Sequence, residues 1–463
     1  MRKQAENEMQ SGGSRIFYGW IMVAVVWLIY MFTTALPLYG GSVLNSLVVL
    51  KAGVKEETLG LAATVHTAMT GVLSPLVGYV VKCRGSRLAF IVGSLFALGA
   101  AVGFVLLPAG GFQLVLCYGV LAALGIGIGG TLTTQSLIIR WFDANQAVAL
   151  SLALTSGAVG GFIGPVIMNA LSGSGDWRPG WTLVGAGAVA ALLMSLFLVK
   201  DKPADIGEVP DGRAYAERHA GPAHHNGPAP MSALPSLTLG EAVRTKEFYI
   251  STGMSIFRLA LYYSVLGYVV VYAATSGIPS ARAALLVSAI SITSLAGRLM
   301  VGVLHKAGME VRTLLFLSGL SMAACGLLLF LGRGFGCFVA GSMCAGLGFG
   351  ISMVNGSMYL THYFGPEHFS VIYGALSPVS TVVASCGPAI TGAVAAATGS
   401  YGLPFLVMGI ANAVENEVAD NLYERSELDY LIYNDPLAYA DLILDGDVEA
   451  YLNAVTEYKP YEN

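Results

Sequence analysis

Charge is scarce in this chain: charged residues make up 11% of its 463 residues, whereas hydrophobic residues make up 55%. A soluble globular protein carries about 25% charged residues. The mean hydropathy of +0.68 agrees with this shortage. The composition excludes an ordinary soluble domain and predicts an all-α membrane protein that crosses the bilayer many times.

Cysteines are also few, and residue patterns typical of catalytic sites are scarce. The six cysteines show neither metal-ligand spacing nor a paired framework. The loops show no nucleophile–base pairing, and the histidines of residues 201–247 are too loosely spaced for a metal site. The glycines at 125–130 follow no strand, so they indicate close helix packing and not a phosphate loop. We therefore expect no enzyme, no cofactor, no metal and no nucleic-acid partner. Residues 1–15 are polar and precede a long apolar segment, so we expect no signal peptide.

Apolar segments long enough to cross a bilayer recur along the chain. They cover residues 16–39, 58–81, 88–108, 111–139, 146–172, 180–200, 248–275, 283–304, 311–332, 334–361 and 369–398. A twelfth segment begins at Tyr401 and stays apolar only to Val414. Fourteen residues rise about 21 Å, which is less than the ~30 Å hydrocarbon core. We expect the twelfth helix to be truncated.

The segments divide the chain into four parts. Residues 1–200 are predicted to form an N-terminal six-helix bundle, and residues 248–414 a C-terminal helix bundle. Residues 201–247, rich in Pro, Ala, Gly and His, are typical of a long flexible cytoplasmic linker. Residues 415–463 hold thirteen acidic and two basic residues. This acidic tail is either a cytoplasmic interaction segment or a foreign or altered end, and we favour the second interpretation.

The basic residues of the loops predict the topology. With a cytoplasmic N-terminus, the cytoplasmic loops hold fifteen Lys and Arg residues and the outer loops hold five. Positive charge favours the cytoplasmic side. We therefore expect a multi-pass protein of the cell inner (plasma) membrane with a cytoplasmic N-terminus.

Arg298 stands inside the eighth apolar segment. A charge within a span costs about 2.5–3.5 kcal/mol on insertion scales, and such residues usually face a bundle interior or a cavity. The alternative is that Arg298 reaches the cytoplasmic edge or pairs with a helix-end carbonyl.

The two halves of the chain repeat one another. Trp141-Phe142 and Tyr363-Phe364 are each followed by a Gly-Pro pair, 22 and 23 residues after the respective phenylalanine. Parallel repeats about an axis along the membrane normal, with substrate bound between them near the midplane, are typical of major facilitator transporters.

Four motifs, in order along residues 16–414, resemble one branch of that superfamily: the bacterial monocarboxylate transporters and oxalate/formate antiporters. The motifs are Phe17-Tyr-Gly-Trp20, Gly78-Tyr-Val-Val-Lys-Cys-Arg-Gly-Ser-Arg87, Arg140-Trp-Phe with Gly157 and Gly161, and Gly297-Arg298 with Gly302 and Gly308. The resemblance implies the major facilitator fold of two six-helix bundles. It also implies that Arg298 binds a carboxylate.

The sequence departs from the family pattern at positions linked to proton coupling. Leu38 stands where monocarboxylate carriers often have a lysine, and Ser294 where they often have an aspartate. The oxalate antiporters add a lysine in the eleventh span, yet residues 370–398 contain no Lys or Arg.

The chemistry of a lone guanidinium favours a monocarboxylate, because one permanent cation neutralises one carboxylate. Candidate coupling residues are His66 and Arg258. His66 titrates near physiological pH but could instead be hydrogen-bonded to a neighbouring helix. Arg258 could line the cavity or instead reach the cytoplasmic face. The candidate substrate-binding residues are Arg298, Thr131, Thr133, Tyr262, Phe349, Met353, Asn355, Ser377 and Leu38. All of them except Arg298 could instead serve helix packing.

We thus expect a secondary transporter of a small, lactate-like monocarboxylate, with a proton and the lipid bilayer as its other partners. Two alternatives stay open: an exchanger of formate-like or other organic anions, and a membrane sensor that binds a carboxylate without moving it.

Overall fold

The structure, a computed structural model, describes residues 17–54, 56–172, 176–211, 236–332 and 334–412. Its regular elements in these ranges are all helical. We number the main helices α1 to α12. They are α1 (Tyr18–Ala52, in three consecutive stretches), α2 (Glu56–Val72 and Ser74–Arg84), α3 (Ser86–Leu106), α4 (Gly111–Trp141), α5 (Gln146–Leu171), α6 (Arg178–Phe197), α7 (Lys246–Thr275), α8 (Ser280–Lys306), α9 (Val311–Leu331), α10 (Phe335–Phe364), α11 (Phe369–Thr398) and α12 (Gly402–Asn412).

The predicted membrane spans are confirmed. Within the described residues, ten helices are long and apolar enough to cross a membrane, and the bent helix α2 makes an eleventh. Apart from α1, which continues to Ala52, their ends fall within a few residues of the segments predicted from hydropathy. Helix α12 is described only as far as Asn412. The predicted truncation near Val414 and the acidic tail 415–463 lie outside the described residues.

Three of the helices facing the centre are irregular. Helix α1 widens to a π-helical stretch at Met31–Gly40, which contains Pro37, a residue without a backbone N–H to donate. Helix α2 bends by 42° between its two stretches. Helix α4 breaks at Gly130, where φ is −90° and ψ is −138°, and a new helical stretch begins at Thr131. Breaks of this kind in a membrane protein are tolerated where the backbone lines a cavity.

The main contacts between the N-terminal half (α1–α6) and the C-terminal half (α7–α12) are made by two pairs of helices: α5 packs on α8, and α2 on α11. Glycines allow the close approach. A β-carbon on Gly302 of α8 would lie 3.1 Å from the Cα atom of Val148 in α5. Gly78 of α2 lies directly against the backbone of Ser370 in α11. In both interfaces the second helix of one half packs on the fifth helix of the other half.

The halves meet at one end of the molecule, which we call the linker end because the segments flanking residues 212–235 lie there. One apolar cluster at this end includes side chains of both halves, such as Met22 and Val77 with Val301 and Ile372. Towards the opposite end each half has its own apolar cluster, around Phe104 in one and Phe338 in the other. The halves are therefore closed together at the linker end and have separate cores at the other.

Both ends of the predicted linker are ordered parts of the two halves. Asp201 accepts a hydrogen bond from the Arg87 amide (2.9 Å), and Asp211 binds the amide groups at the start of α5. On the other side, the Leu237 amide donates to the Phe364 carbonyl oxygen (3.0 Å). The freely connecting part predicted at 201–247 is thus shorter than the composition suggests, and residues 212–235 lie outside the described structure.

Candidate functional site

A cavity of about 650 Å³ lies between the two halves. It is lined by residues of α1, α2, α4 and α5 from one half and of α7 to α11 from the other. Among the described residues that line it, none is Asp or Glu, whereas Arg258 and Arg298 are both present. The charged side chains among the described lining residues are therefore all cationic, which suits an anionic ligand.

Arg298 reaches from α8 to α5, in the other half. It is 5% exposed, and its Nη1 atom donates a hydrogen bond to the Leu154 carbonyl oxygen. Its Nε atom is buried and has no hydrogen-bond partner among the described residues. A guanidinium has five N–H donors and stays charged, so Arg298 retains donor capacity for a ligand.

Small residues around Arg298 leave space for its guanidinium. A β-carbon on Gly157 of α5 would lie 3.0 Å from Nη1 of Arg298 and 3.2 Å from the ring of Tyr30. Gly297 lies against the backbone of α10. Ser294, one turn before the arginine, is 2% exposed and packs beside Gly350 of α10, and it is not among the lining residues.

Tyrosines from both halves surround the arginine. Tyr39 of α1 and Tyr262 of α7 lie near enough to Arg298 to interact with it electrostatically. The ring of Tyr262 stacks on that of Phe349, with centroids 3.7 Å apart. The other tyrosines among the described lining residues are Tyr30, Tyr263, Tyr359 and Tyr373. The site thus combines one central cation with an aromatic, partly hydroxylated wall.

Sequence reasoning did not single out Tyr30, Tyr39, Tyr263, Tyr373 or Thr34. They occupy three different helices and share no motif, so no signal in the chain connects the five residues. Only the position of each residue around its helix, relative to the other half, places it at the cavity.

His66 lies at the cavity on α2 and is 6% exposed. Its Nδ1 atom is 3.0 Å from the Tyr118 carbonyl oxygen, and its ring stacks on that of Tyr118 at 4.5 Å. A carbonyl oxygen can only accept, so the bond requires the proton on Nδ1 and leaves Nε2 as the nitrogen that can take up a further proton.

Arg258 also lines the cavity and is 9% exposed. Its Nε atom donates to the Met254 carbonyl oxygen of its own helix (3.2 Å). Met254, Ser255 and Tyr359 line the same part of the cavity, which extends towards the linker end.

The structure brings together nine of the eleven candidate residues. Those that line the cavity are Arg298, Thr131, Tyr262, Phe349, Met353, Ser377, Leu38, His66 and Arg258. Thr133 and Asn355 do not line it. Both are fully buried: the Thr133 hydroxyl donates to the Ile128 carbonyl oxygen (2.5 Å) and the Asn355 amide to that of Val311 (2.7 Å). Each completes backbone hydrogen bonding within its own half.

Comparison with known proteins identifies the family. Residues 19–388 match the family described as Major Facilitator Superfamily, and residues 407–462 match a family of unknown function, DUF6061. The uncharacterized MFS-type transporter YcxA of Bacillus subtilis is 26% identical over 154 residues, which cover 32% of this chain and 36% of YcxA. The chain thus spans about a third of the length of that relative.

Solved structures show the same fold. The transporter FucP in the outward conformation superposes with a TM-score of 0.66 at 15% identity, covering 87% of this chain and 99% of FucP. The human organic anion transporter MFSD10 superposes with a TM-score of 0.62 at 14% identity, covering 86% and 97%. With a family match that covers most of its length, this chain belongs to the major facilitator superfamily, whose members are multi-pass membrane transporters and not enzymes.

Proposed function

We propose that this transporter carries a small monocarboxylate, such as lactate, together with a proton, and that Arg298 binds the carboxylate. The supporting observation is that a buried arginine with an unused Nε donor lies in a cavity whose described lining has no acidic residue. A carboxylate would accept hydrogen bonds from the planar guanidinium and neutralise its charge. The resemblance to the monocarboxylate branch, carried by the Arg298 motif, points to the same class of substrate.

Alternating access is the proposed mode of transport. The halves are closed at the linker end and keep separate cores at the other end, and the similar FucP structure is described as outward. On the basis of the loop charges we place the N-terminus and the linker in the cytoplasm, in the plasma membrane. The closed end would then face the cytoplasm, so that a substrate enters from outside.

Uptake of labelled lactate into proteoliposomes tests the proposal. Arg298→Gln should abolish uptake, because glutamine has neither the charge nor the fork of donors. Arg298→Lys keeps the charge but loses the bidentate geometry, so we expect uptake to fall roughly tenfold or more and not to vanish. Both variants must be folded, as judged by monodispersity and thermal stability. Lactate uptake by Arg298→Gln at the parental rate would remove Arg298 from the site.

His66 is the proposed proton carrier. In His66→Asn the side-chain amide can still donate to the Tyr118 carbonyl oxygen, but the titrating nitrogen is lost. An inward proton gradient should accelerate lactate uptake by the parent protein and have no effect on this variant. An unchanged response to the gradient would dismiss His66 as the carrier.

Exchange of organic anions is a second candidate function, favoured by the lack of an acid in the described cavity lining and by Ser294 in place of the expected aspartate. Because no carboxylate among the described lining residues neutralises Arg298, the return of the empty carrier moves a buried charge and is costly. In that case lactate should enter only vesicles preloaded with unlabelled anion. Accumulation driven by a proton gradient in vesicles without preloaded anion would establish symport instead.

A further inference from the structure

Three hydroxyl groups of the N-terminal half face the same cavity as Arg298. Tyr30 and Thr34 lie one turn apart on α1, and Thr131 opens the second stretch of α4; all three line the cavity. The hydroxyl oxygens of Tyr30 and Thr131 are 3.1 Å apart and hydrogen-bonded. They form a cluster of oxygens that could meet a polar substituent of a bound ligand.

Thr34 has an unused hydroxyl. A threonine in a helix commonly donates to the carbonyl four residues before, and neighbouring Thr33 does so, to Ile29 at 2.8 Å. Thr34 lies in the π-helical stretch of α1, is 3% exposed, and its Oγ1 atom has no hydrogen-bond partner among the described residues. A buried hydroxyl without a hydrogen-bond partner destabilises the protein, and a ligand oxygen at the cavity would remove that cost.

The break in α4 adds backbone donors at the same place. A β-carbon on Gly130 would lie 3.5 Å from Oγ1 of Thr34, so Thr34 lies against the residue that precedes the Thr131–Trp141 stretch. The first amide groups of a helix have no carbonyl partner within it and carry partial positive charge. The hydroxyl cluster and these amides therefore suit an oxygen that accepts hydrogen bonds.

Gly157 connects the cluster to Arg298. A β-carbon on Gly157 would lie 3.0 Å from Nη1 of Arg298 and 3.6 Å from the hydroxyl oxygen of Tyr30. The guanidinium of the C-terminal half and the phenol of the N-terminal half thus flank one small gap. A ligand with a carboxylate on Arg298 would bring the adjacent carbon towards the hydroxyl cluster.

We infer that Tyr30, Thr34 and Thr131 bind an oxygen on the carbon next to the substrate carboxylate, which makes the substrate a 2-hydroxy or 2-oxo carboxylate and not a simple alkyl carboxylate. The inference rests on the proposed binding of a monocarboxylate by Arg298. It adds that the N-terminal half selects among such acids. A site built to hydrogen-bond a ligand oxygen discriminates strongly against the analogue without it, because its buried polar groups are then left without partners.

L-lactate and propionate, which differ at this oxygen, provide the test in proteoliposomes of the full chain. For the parent protein, kcat/KM for lactate should exceed that for propionate at least tenfold. Thr34→Val preserves the shape of the side chain and removes the hydroxyl; it should lower the lactate value about tenfold and leave the propionate value within twofold. Thr34→Ser should restore lactate selectivity.

Thr33→Val is the matched control, because it removes the hydroxyl of the adjacent threonine, which is fully buried and outside the cavity lining. It should leave the ratio of the two substrates unchanged. Equal transport of lactate and propionate by the parent, or an equal loss of both in Thr34→Val, would overturn the inference and leave the proposed function standing. Failure of the folded parent to transport or bind either acid would refute the proposed function itself.

Discussion

At the scale of single residues, the site depends on a glycine, which has no side chain and leaves space for Arg298. Arg298 lies against Gly157 of the other half. Both the space for its guanidinium and its hydrogen bond to the Leu154 carbonyl oxygen depend on that glycine. Hydropathy predicted the burial of Arg298, because a charge within an apolar segment must face a protein interior or a cavity. It did not predict which helix the guanidinium would contact.

Gly157→Ala should weaken substrate binding. The new methyl group would lie 3.0 Å from Nη1 of Arg298 and 3.2 Å from the ring of Tyr30, so the guanidinium has to shift. Overpacking of this kind typically costs 1–3 kcal/mol, and we expect KM for lactate to rise roughly tenfold.

Gly161→Ala, one turn along α5, is the control for Gly157→Ala. Its methyl group would lie 3.5 Å or more from the ring of Tyr39, an ordinary contact, and should leave KM nearly unchanged. Equal KM values for the two variants would mean that Gly157 does not set the position of Arg298.

At the scale of helices, segments predicted as flexible linker stabilise the bundle. Asp211 is placed at the start of α5, the helix that packs on α8 and contacts Arg298. Its carboxylate accepts hydrogen bonds from the amides of Asp143 (2.7 Å), Ala144 (3.2 Å) and Asn145 (3.1 Å). A negative charge at the start of a helix satisfies amides that have no partner and complements the helix dipole.

Asp211→Ala should therefore lower the free energy of unfolding by about 1 kcal/mol, the usual cost of losing a helix cap. The measurement is the thermal unfolding temperature in detergent. Asp211→Asn keeps an oxygen acceptor and should lose less. Unchanged unfolding temperatures for both variants would show that this segment contributes nothing to the stability of α5.

At the scale of the whole molecule, transport by alternating access requires the linker end to open. The hydroxyl groups of Ser74 in α2 and Ser377 in α11 lie 3.3 Å apart across the two halves. This contact belongs to the α2–α11 interface, which must separate when the cavity opens to that side.

A double variant with Ser74→Cys and Ser377→Cys should form a disulfide under mild oxidation and lose lactate uptake, because the halves can no longer part at that end. Reductant should restore uptake. Each single variant controls for the substitutions and for the six native cysteines. Full uptake after complete cross-linking would contradict opening at this interface.

The sequence by itself determined the spans, their division into two repeated halves and the burial of one arginine. These properties are local, because hydropathy along a segment decides whether it enters the bilayer, whatever its neighbours are. The same local reasoning predicted that residues 201–247 form a flexible linker. It could not predict the hydrogen bonds of Asp201 and Asp211, because their partners lie more than sixty residues away.

Only the tertiary structure decided which polar side chains share the cavity. Thr131 and Thr133 are two residues apart on one helical stretch and therefore point in nearly opposite directions. Thr131 lines the cavity, whereas the Thr133 hydroxyl donates to the Ile128 carbonyl oxygen. Tyr30, Thr34 and Arg298 come together only when the two halves close on each other. That arrangement depends on the packing of α5 on α8 and α2 on α11, which no single segment of the chain specifies.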